Sequence, residues 1–299
     1  MTLLAAPPPE TGTAPPPRPK AVQPLEIALI TRVLGGLSLA LLGFVAYVLV
    51  VGPMTHDRAQ DLLYADAREK LAEIEMPTGG SIEPGSPVAL LEIPGLHLNE
   101  VVVEGTTGGL LTDGPGHLRT TPLPGQPGSA VIMGRALTFG GSFRDITALR
   151  EGDEVVATTG QGRFVYRVDG VRRDGDPMPK PGGNHLVLLS AEVSEFLGLP
   201  IKVERTVFVD TTLVHPSPSG LTPPPVSLLP EERALERDAG GLVPLVLWSQ
   251  VLLLAVAGFT WARTRWGRWE TWFVGAPVVL AASWQVYEYF AISLLPNLA

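Results

Sequence analysis

Two side chains with chemistry of their own frame an unusually stiff stretch: His117 stands near its start and Arg135 at its end. Between residues 114 and 128, Pro115, Pro122, Pro124 and Pro127 each fix a backbone angle. Gly114, Gly116, Gly125 and Gly128 permit turns that other residues do not make. Residues 129–133 then give a short apolar run that Gly134 ends, which predicts a loop of one shape feeding a buried strand. His117 is placed to hydrogen-bond loop backbone. Arg135 stays protonated at working pH, so it neither takes nor gives a proton. It suits a carboxylate or a peptide carbonyl; failing both, it is an exposed cation at a strand end. His185 follows Gly182-Gly183-Asn184 and reads as an exposed turn residue. The chain has no cysteine, which removes disulfides, thiolate metal sites and a thiol nucleophile together. It shows no metal-ligand spacing and no phosphate-binding glycine loop, so no metal or cofactor is expected.

Several kinds of element must position these groups. The net charge of −8, with no Lys/Arg run, argues against a nucleic-acid partner. The mean hydropathy of +0.23 points instead to a membrane. Residues 1–30 are Pro-rich and expected to be a disordered cytoplasmic tail. Residues 31–53 hold an uncharged apolar run long enough to span a bilayer. Residues 54–86 read as a juxtamembrane helix with Leu62, Leu63, Leu71 and Ile74 among charges, then a linker. Residues 87–214 are the globular part, with strands expected at 88–93, 99–104, 129–133, 154–159, 163–172, 186–190 and 202–209. The alternation is clearest where Phe164, Tyr166 and Val168 face one way and Arg163, Arg167 and Asp169 the other. Residues 143–150 offer one helical turn with Ile146 and Leu149 inward. A Pro-rich linker follows at 215–241, a second span at 242–262, a basic cytoplasmic loop at 263–270 and a third span at 271–296, broken by Glu288. Arginines on the cytoplasmic side and tryptophans at the interface place the N-terminus inside and the globular part outside. Many short strands with little helix suggest a barrel or a sandwich.

The motifs resolve that choice by resemblance. Gly114-Pro115-Gly116-His117, Thr121-Pro122-Leu123-Pro124-Gly125 and the strand ending Gly134-Arg135 resemble the sortase family, class E-like and of actinobacterial type. The likeness covers roughly residues 86–210. It implies an all-β, sortase-like closed β-barrel, extracytoplasmic and carried here by three transmembrane α-helices. Sortases cleave a peptide signal with a Cys thiolate, a His and an oxyanion-stabilising Arg. The resemblance puts Arg135 at the His position and Ala191, after Leu186-Val187-Leu188-Leu189-Ser190, at the Cys position. It puts the cation near Pro200, with Lys202 and Arg205 closest. Pro9-Glu10-Thr11-Gly12 matches the end of a substrate signal without its leading Leu, a match that composition alone accounts for.

The expected function is therefore a membrane-anchored, catalytically inactive sortase of the cell envelope. Its barrel would act as a peptide-binding or assembly module, with an envelope protein or peptide as partner. The residues that would meet peptide are Arg135, His117, Ser190 and Lys202. One alternative is an active transpeptidase or hydrolase with relocated groups, in which Ser190 is the nucleophile. Ser190 should point to the opposite face of the strand from Ala191, and a serine enzyme also needs a base and an orienting group in reach. Another alternative is a structural subunit of a membrane complex. The oligomeric state is not legible in the sequence.

Overall fold

The computed structural model describes residues 25–177, 184–196, 199–215 and 227–299. The Pro-rich stretch 1–24, with its Pro9–Gly12 match, lies outside them. The chain divides into two units, Met1–Gly43 and Phe44–Ala299. The first holds most of helix α1 (Leu25–Ala46), whose Leu37, Leu39, Leu41 and Leu42 are all exposed.

The second unit is built on a closed barrel of eight strands in the order β1-β2-β3-β4-β7-β8-β6-β5. They are β1 (Pro87–Ile93), β2 (Leu98–Glu104), β3 (Gly116–His117), β4 (Gly128–Met133), β5 (Glu154–Thr159), β6 (Gly162–Arg173), β7 (Asn184–Phe196) and β8 (Leu199–Leu213). β5 closes the ring by pairing antiparallel with β1. Alternation decides which side chains fill the barrel. Tyr166 and Val168 are buried in the core with Leu91, Ile132, Leu186, Leu188 and Val209, while Arg163, Arg167 and Asp169 are exposed. The turn at 143–150 contracts to a 3-10 turn, Ile146–Ala148, with Ile146 and Leu149 buried. The seven strands read from sequence are all present. β7 and β8 run on beyond their apolar residues, and the two-residue β3 was not anticipated.

Closure brings one junction about. β4 and β7 are parallel neighbours, with Met133 opposite Leu189. Parallel partners need a long crossover, and here β5 and β6 lie within it. Next to this junction the stiff loop is held from below. Tyr166 Oη accepts from the Gly125 amide at 2.6 Å, and burial pushes this phenol up to about 12. Gly125 has φ +92°, and a Cβ there would stand 2.2 Å from the Phe164 ring. Conformation and space both demand glycine at this turn.

A π-helical turn, Tyr47–Val51, leads into α2 (Gly52–Glu73), which docks on the barrel wall. Gln60 behaves like a short extra strand: its Oε1 accepts from Val101 N at 2.8 Å, and its Nε2 donates to Val101 O at 3.2 Å and Asp113 O at 2.7 Å. Ala67 and Met76 pack with Val101 beneath it. α3 (Leu242–Arg265) and α4 (Arg268–Leu294) pack together, with Phe259 edge-on to Trp272, and α4 meets the turn leading into α2 through Trp284 and Tyr287 against Tyr47. Residues 227–241, within the stretch read as a linker, carry buried Glu232 and Gly241.

Three membrane spans were expected; among the described residues two meet the requirement of length and apolar composition, and the third is weaker by composition. Two helical runs, Leu29–Glu73 and Ala239–Arg265, are long and apolar enough to cross a bilayer. α4 is long enough, but Pro277, Gln285 and Glu288, with Trp272, Trp284, Tyr287 and Tyr289, dilute its apolar content.

Candidate functional site

The stiff loop is ordered by its histidine. β3 pairs parallel with β2 through Val103–Gly116 and Glu104–His117. A Cβ on Gly116 would lie 2.2 Å from Gly105 O, so only glycine lets β2 and β3 meet this closely. His117 Nδ1 lies 2.7 Å from Glu104 Oε2, and Nε2 lies 3.0 Å from Pro122 O and 3.2 Å from Thr121 Oγ1. Thr121 Oγ1 in turn donates to Leu118 O and accepts from Val131 N. The backbone contact expected of His117 is present; its carboxylate partner was not foreseen. Both ring nitrogens are engaged within the loop and β2.

Arg135 and Ala191 stand together because of register. Each lies two residues past the paired Met133 and Leu189 on neighbouring parallel strands. Ala191 belongs to a second apolar cluster outside the barrel core, with Leu111, Met133, Ala136, Leu189 and Leu298. Arg135 is 1% exposed, which excludes the exposed-cation alternative. Its Nη2 donates to Gly108 O at 2.7 Å, and its Nη1 donates to Thr138 Oγ1 at 3.0 Å and Ala299 O at 3.3 Å. The guanidinium also lies 5.2 Å from the Phe139 ring centroid. Burial pushes its pKa down to about 10, with Asp238 acting in the opposite sense. Below that pH the group is still charged, so it is a fixed cation solvated by backbone carbonyls.

The other anticipated residues lie elsewhere. Ser190 has the parity of Leu186 and Leu188, which fill the barrel core, and its Oγ donates to Gly134 O at 2.8 Å. It is fully buried and turned away from Ala191. Lys202 pairs with Ser194 across the β7–β8 hairpin, and its side chain lies outside the described residues. Thr206 stands opposite Ala191, whereas Pro200 stands opposite Glu195, so the position read for the cation is four residues along β7 from Ala191. His185 is half-buried in β7, with Nδ1 3.2 Å from Thr211 O, and is not an exposed turn residue. Among the described residues no group of three or more His, Cys, Asp or Glu could hold a metal.

Two neighbours of the groove were not read from the sequence. The first is Glu232, buried, which grips Arg119 through Nε at 2.5 Å and Nη2 at 2.7 Å and accepts from Leu229 N. The second is the segment after α4, residues 295–299. Leu298 O accepts from Ala136 N at 2.9 Å, and Ala299 O accepts from Thr138 N at 3.3 Å and from the Thr138 hydroxyl. Asn297 Nδ2 donates to Thr106 O, Glu231 O and Arg233 O. Asn297 and Leu298 are 0% exposed. Partners separated by 64 to 191 residues leave no local signal.

The carbonyls around Arg135 set a testable order of stabilities. Arg135→Gln keeps an amide donor and removes the buried charge, whereas Arg135→Leu takes from Gly108 O its donor, a loss worth about 1–3 kcal/mol. Thermal unfolding should place Arg135→Leu below Arg135→Gln by several degrees. The reverse order would mean that the hydrogen bonds of residue 135 do not stabilise the site.

Comparison with known proteins bears on the barrel. Residues 91–190 match the family model described as a sortase domain. A stretch of 122 residues is 32% identical to Sortase SrtE1 of Streptomyces coelicolor, covering 35% of this chain and 34% of that protein. A stretch of 86 residues is 31% identical to Sortase D of Bacillus subtilis, covering 29% of this chain and 42% of that protein. The matches thus span well under half the length of these relatives. Among solved structures, sortase E from Streptomyces avermitilis is 30% identical over 45% of this chain and 91% of its own, with a TM-score of 0.37. With its motif loop, its closed eight-stranded ring and its family match, the barrel of this chain is a sortase domain.

Proposed function

We propose that this chain is a class E-like sortase-fold protein of the cell envelope that has exchanged catalysis for peptide binding or assembly. One observation carries the reading: the two positions that register brings together, one just past β4 and one on β7, hold a buried arginine and an alanine. Alanine offers no nucleophile, and a guanidinium that keeps its proton offers no base. Ser190, the candidate substitute, gives its hydroxyl to Gly134 O inside the barrel. What persists is a surface that binds backbone: the Ala136 and Thr138 amides, the Thr138 hydroxyl and the Arg135 guanidinium all meet peptide carbonyls.

The test is turnover. The cysteine-free chain, purified in lipid nanodiscs and mixed with sorting-signal peptides and an amine acceptor, should neither cleave nor transfer them. Turnover abolished by Ser190→Ala would establish the serine enzyme and sink this reading.

The membrane arrangement is part of the same proposal. α1 and α3 carry exposed leucines and valines along their length, as lipid-facing helices do. α3 and α4 pack as a hairpin, and Gly241 before α3 lies against Ser293 near the end of α4. A hairpin whose two feet meet supports α4 crossing the bilayer alongside α3, despite its more polar composition. Arg263, Arg265 and Arg268 at the hairpin tip then lie in the cytoplasm and the barrel outside, by the positive-inside rule. A membrane-impermeant thiol reagent on intact cells should label Glu151→Cys and spare Thr264→Cys, and the opposite pattern would invert the topology.

A further inference from the structure

The groove beside Ala191 is already occupied, and its occupant is this chain. Residues 295–299, Leu295-Pro296-Asn297-Leu298-Ala299, turn back from α4 and close on themselves through Ala299 N to Pro296 O at 3.0 Å. Each part of the turn meets a feature of the groove. Leu298 fills the apolar cluster that contains Ala191. The Leu298 and Ala299 carbonyls take the amides of Ala136 and Thr138, so the turn is bound by backbone pairing along the loop that follows β4. Asn297 is received by three carbonyls, from Thr106, Glu231 and Arg233, and its own amide donates to Glu236 O at 2.8 Å. Apolar anchor, side-chain amide and paired backbone are the elements by which proteins recognise short peptides.

The fit is nevertheless incomplete. Arg135 Nε, on the groove side, and Asn297 Oδ1, on the segment side, are buried without a hydrogen-bond partner. A permanent wall of the fold gains by satisfying such groups, whereas a ligand that leaves them unsatisfied can be displaced by one that does not. The segment is also tethered to a helix, so its local concentration at the groove is high without its intrinsic affinity being so.

We infer that residues 295–299 are a resident self-ligand of the groove, and that the groove accepts in their place a peptide of the same chemistry: proline, then a side-chain amide, then leucine. This rests on the proposed peptide-binding reading and names its ligand class. Because the segment follows α4 directly, anything that draws α4 away from the barrel, such as a membrane partner, would empty the groove.

A thiol at the floor of the groove reports occupancy, because the native chain contains no cysteine to interfere. Ala191→Cys in the full chain, in nanodiscs, is alkylated with N-ethylmaleimide and followed by mass spectrometry. With the segment intact, modification should be slow. Adding Leu298→Ser should accelerate it at least tenfold, and adding Asn297→Ala instead should give an intermediate rate. Acetyl-Leu-Pro-Asn-Leu-Ala-amide should then protect the Leu298→Ser variant again, while the same peptide with its Asn and second Leu exchanged should not. Circular dichroism and melting temperature confirm that each variant is folded before its rate is read. Equal slow rates with and without Leu298 would show that the segment does not cover Ala191 and would overturn the inference. Acceleration without protection by the peptide would make the segment a fixed wall and would also overturn it. Neither result bears on the non-catalytic reading, which the turnover of the cysteine-free chain decides separately.

Discussion

A guanidinium that water does not reach must find its solvation in the protein, and much of the architecture around β4 follows from doing this for Arg135. Its terminal nitrogens reach Gly108 O, Thr138 Oγ1 and Ala299 O, which belong to three stretches of chain far apart in sequence. Removing any of them would leave a buried charge with fewer dipoles, a loss larger than that of an ordinary neutral hydrogen bond. The cation thus acts as a fastener. It gathers the loop after β2, the loop after β4 and the segment after α4 at one point, even though burial makes its charge unfavourable.

That point is fixed by how the barrel closes. A parallel β4–β7 pair inserted between antiparallel neighbours sets Arg135, just past the end of β4, at the register position of Ala191 within β7. The stiff loop before β4 keeps the pair in register, because His117 ties it to Glu104 on β2 and Tyr166 ties it to the wall of β6. Preorganisation of this kind is what a site needs to act on a bound peptide. On the proposed reading, this scaffold serves recognition, with an alanine and a cation that holds its proton at its focus.

Local patterns carried much of this into the sequence. The alternation of Phe164, Tyr166 and Val168 marked β6, and the prolines and glycines between residues 114 and 128 marked the loop. The parity of Ser190 against Ala191 was legible too, since a strand with period two sends neighbours to opposite faces. What escaped was long-range or too short. β3 is two residues long and owes its existence to β2 and β4 on either side. The extension of β7 through Glu192 and Ser194 is held by pairing with β8, not by apolar content. The grip of Glu232 on Arg119 and the burial of Asn297 and Leu298 join positions whose neighbours in sequence give no hint of a partner. Uncharged length at 271–296 suggested a third span as strong as the others, where aromatic and polar residues make it weaker by composition.

The central claim is that the groove next to Ala191 recognises peptide backbone and is filled by residues 295–299. Residue-resolved amide hydrogen exchange on the full chain in nanodiscs tests it most directly, at Ala136 and Thr138. Their amides donate to Leu298 O and Ala299 O, and among the described residues these bonds belong to no strand or helix. The account predicts that both amides exchange far more slowly than those of an open loop, and that both lose this protection together when residues 295–299 are deleted while the Ile132 and Leu188 amides of the barrel core keep theirs. Fast exchange at Ala136 and Thr138 in the intact chain, or protection that survives the deletion, would contradict it.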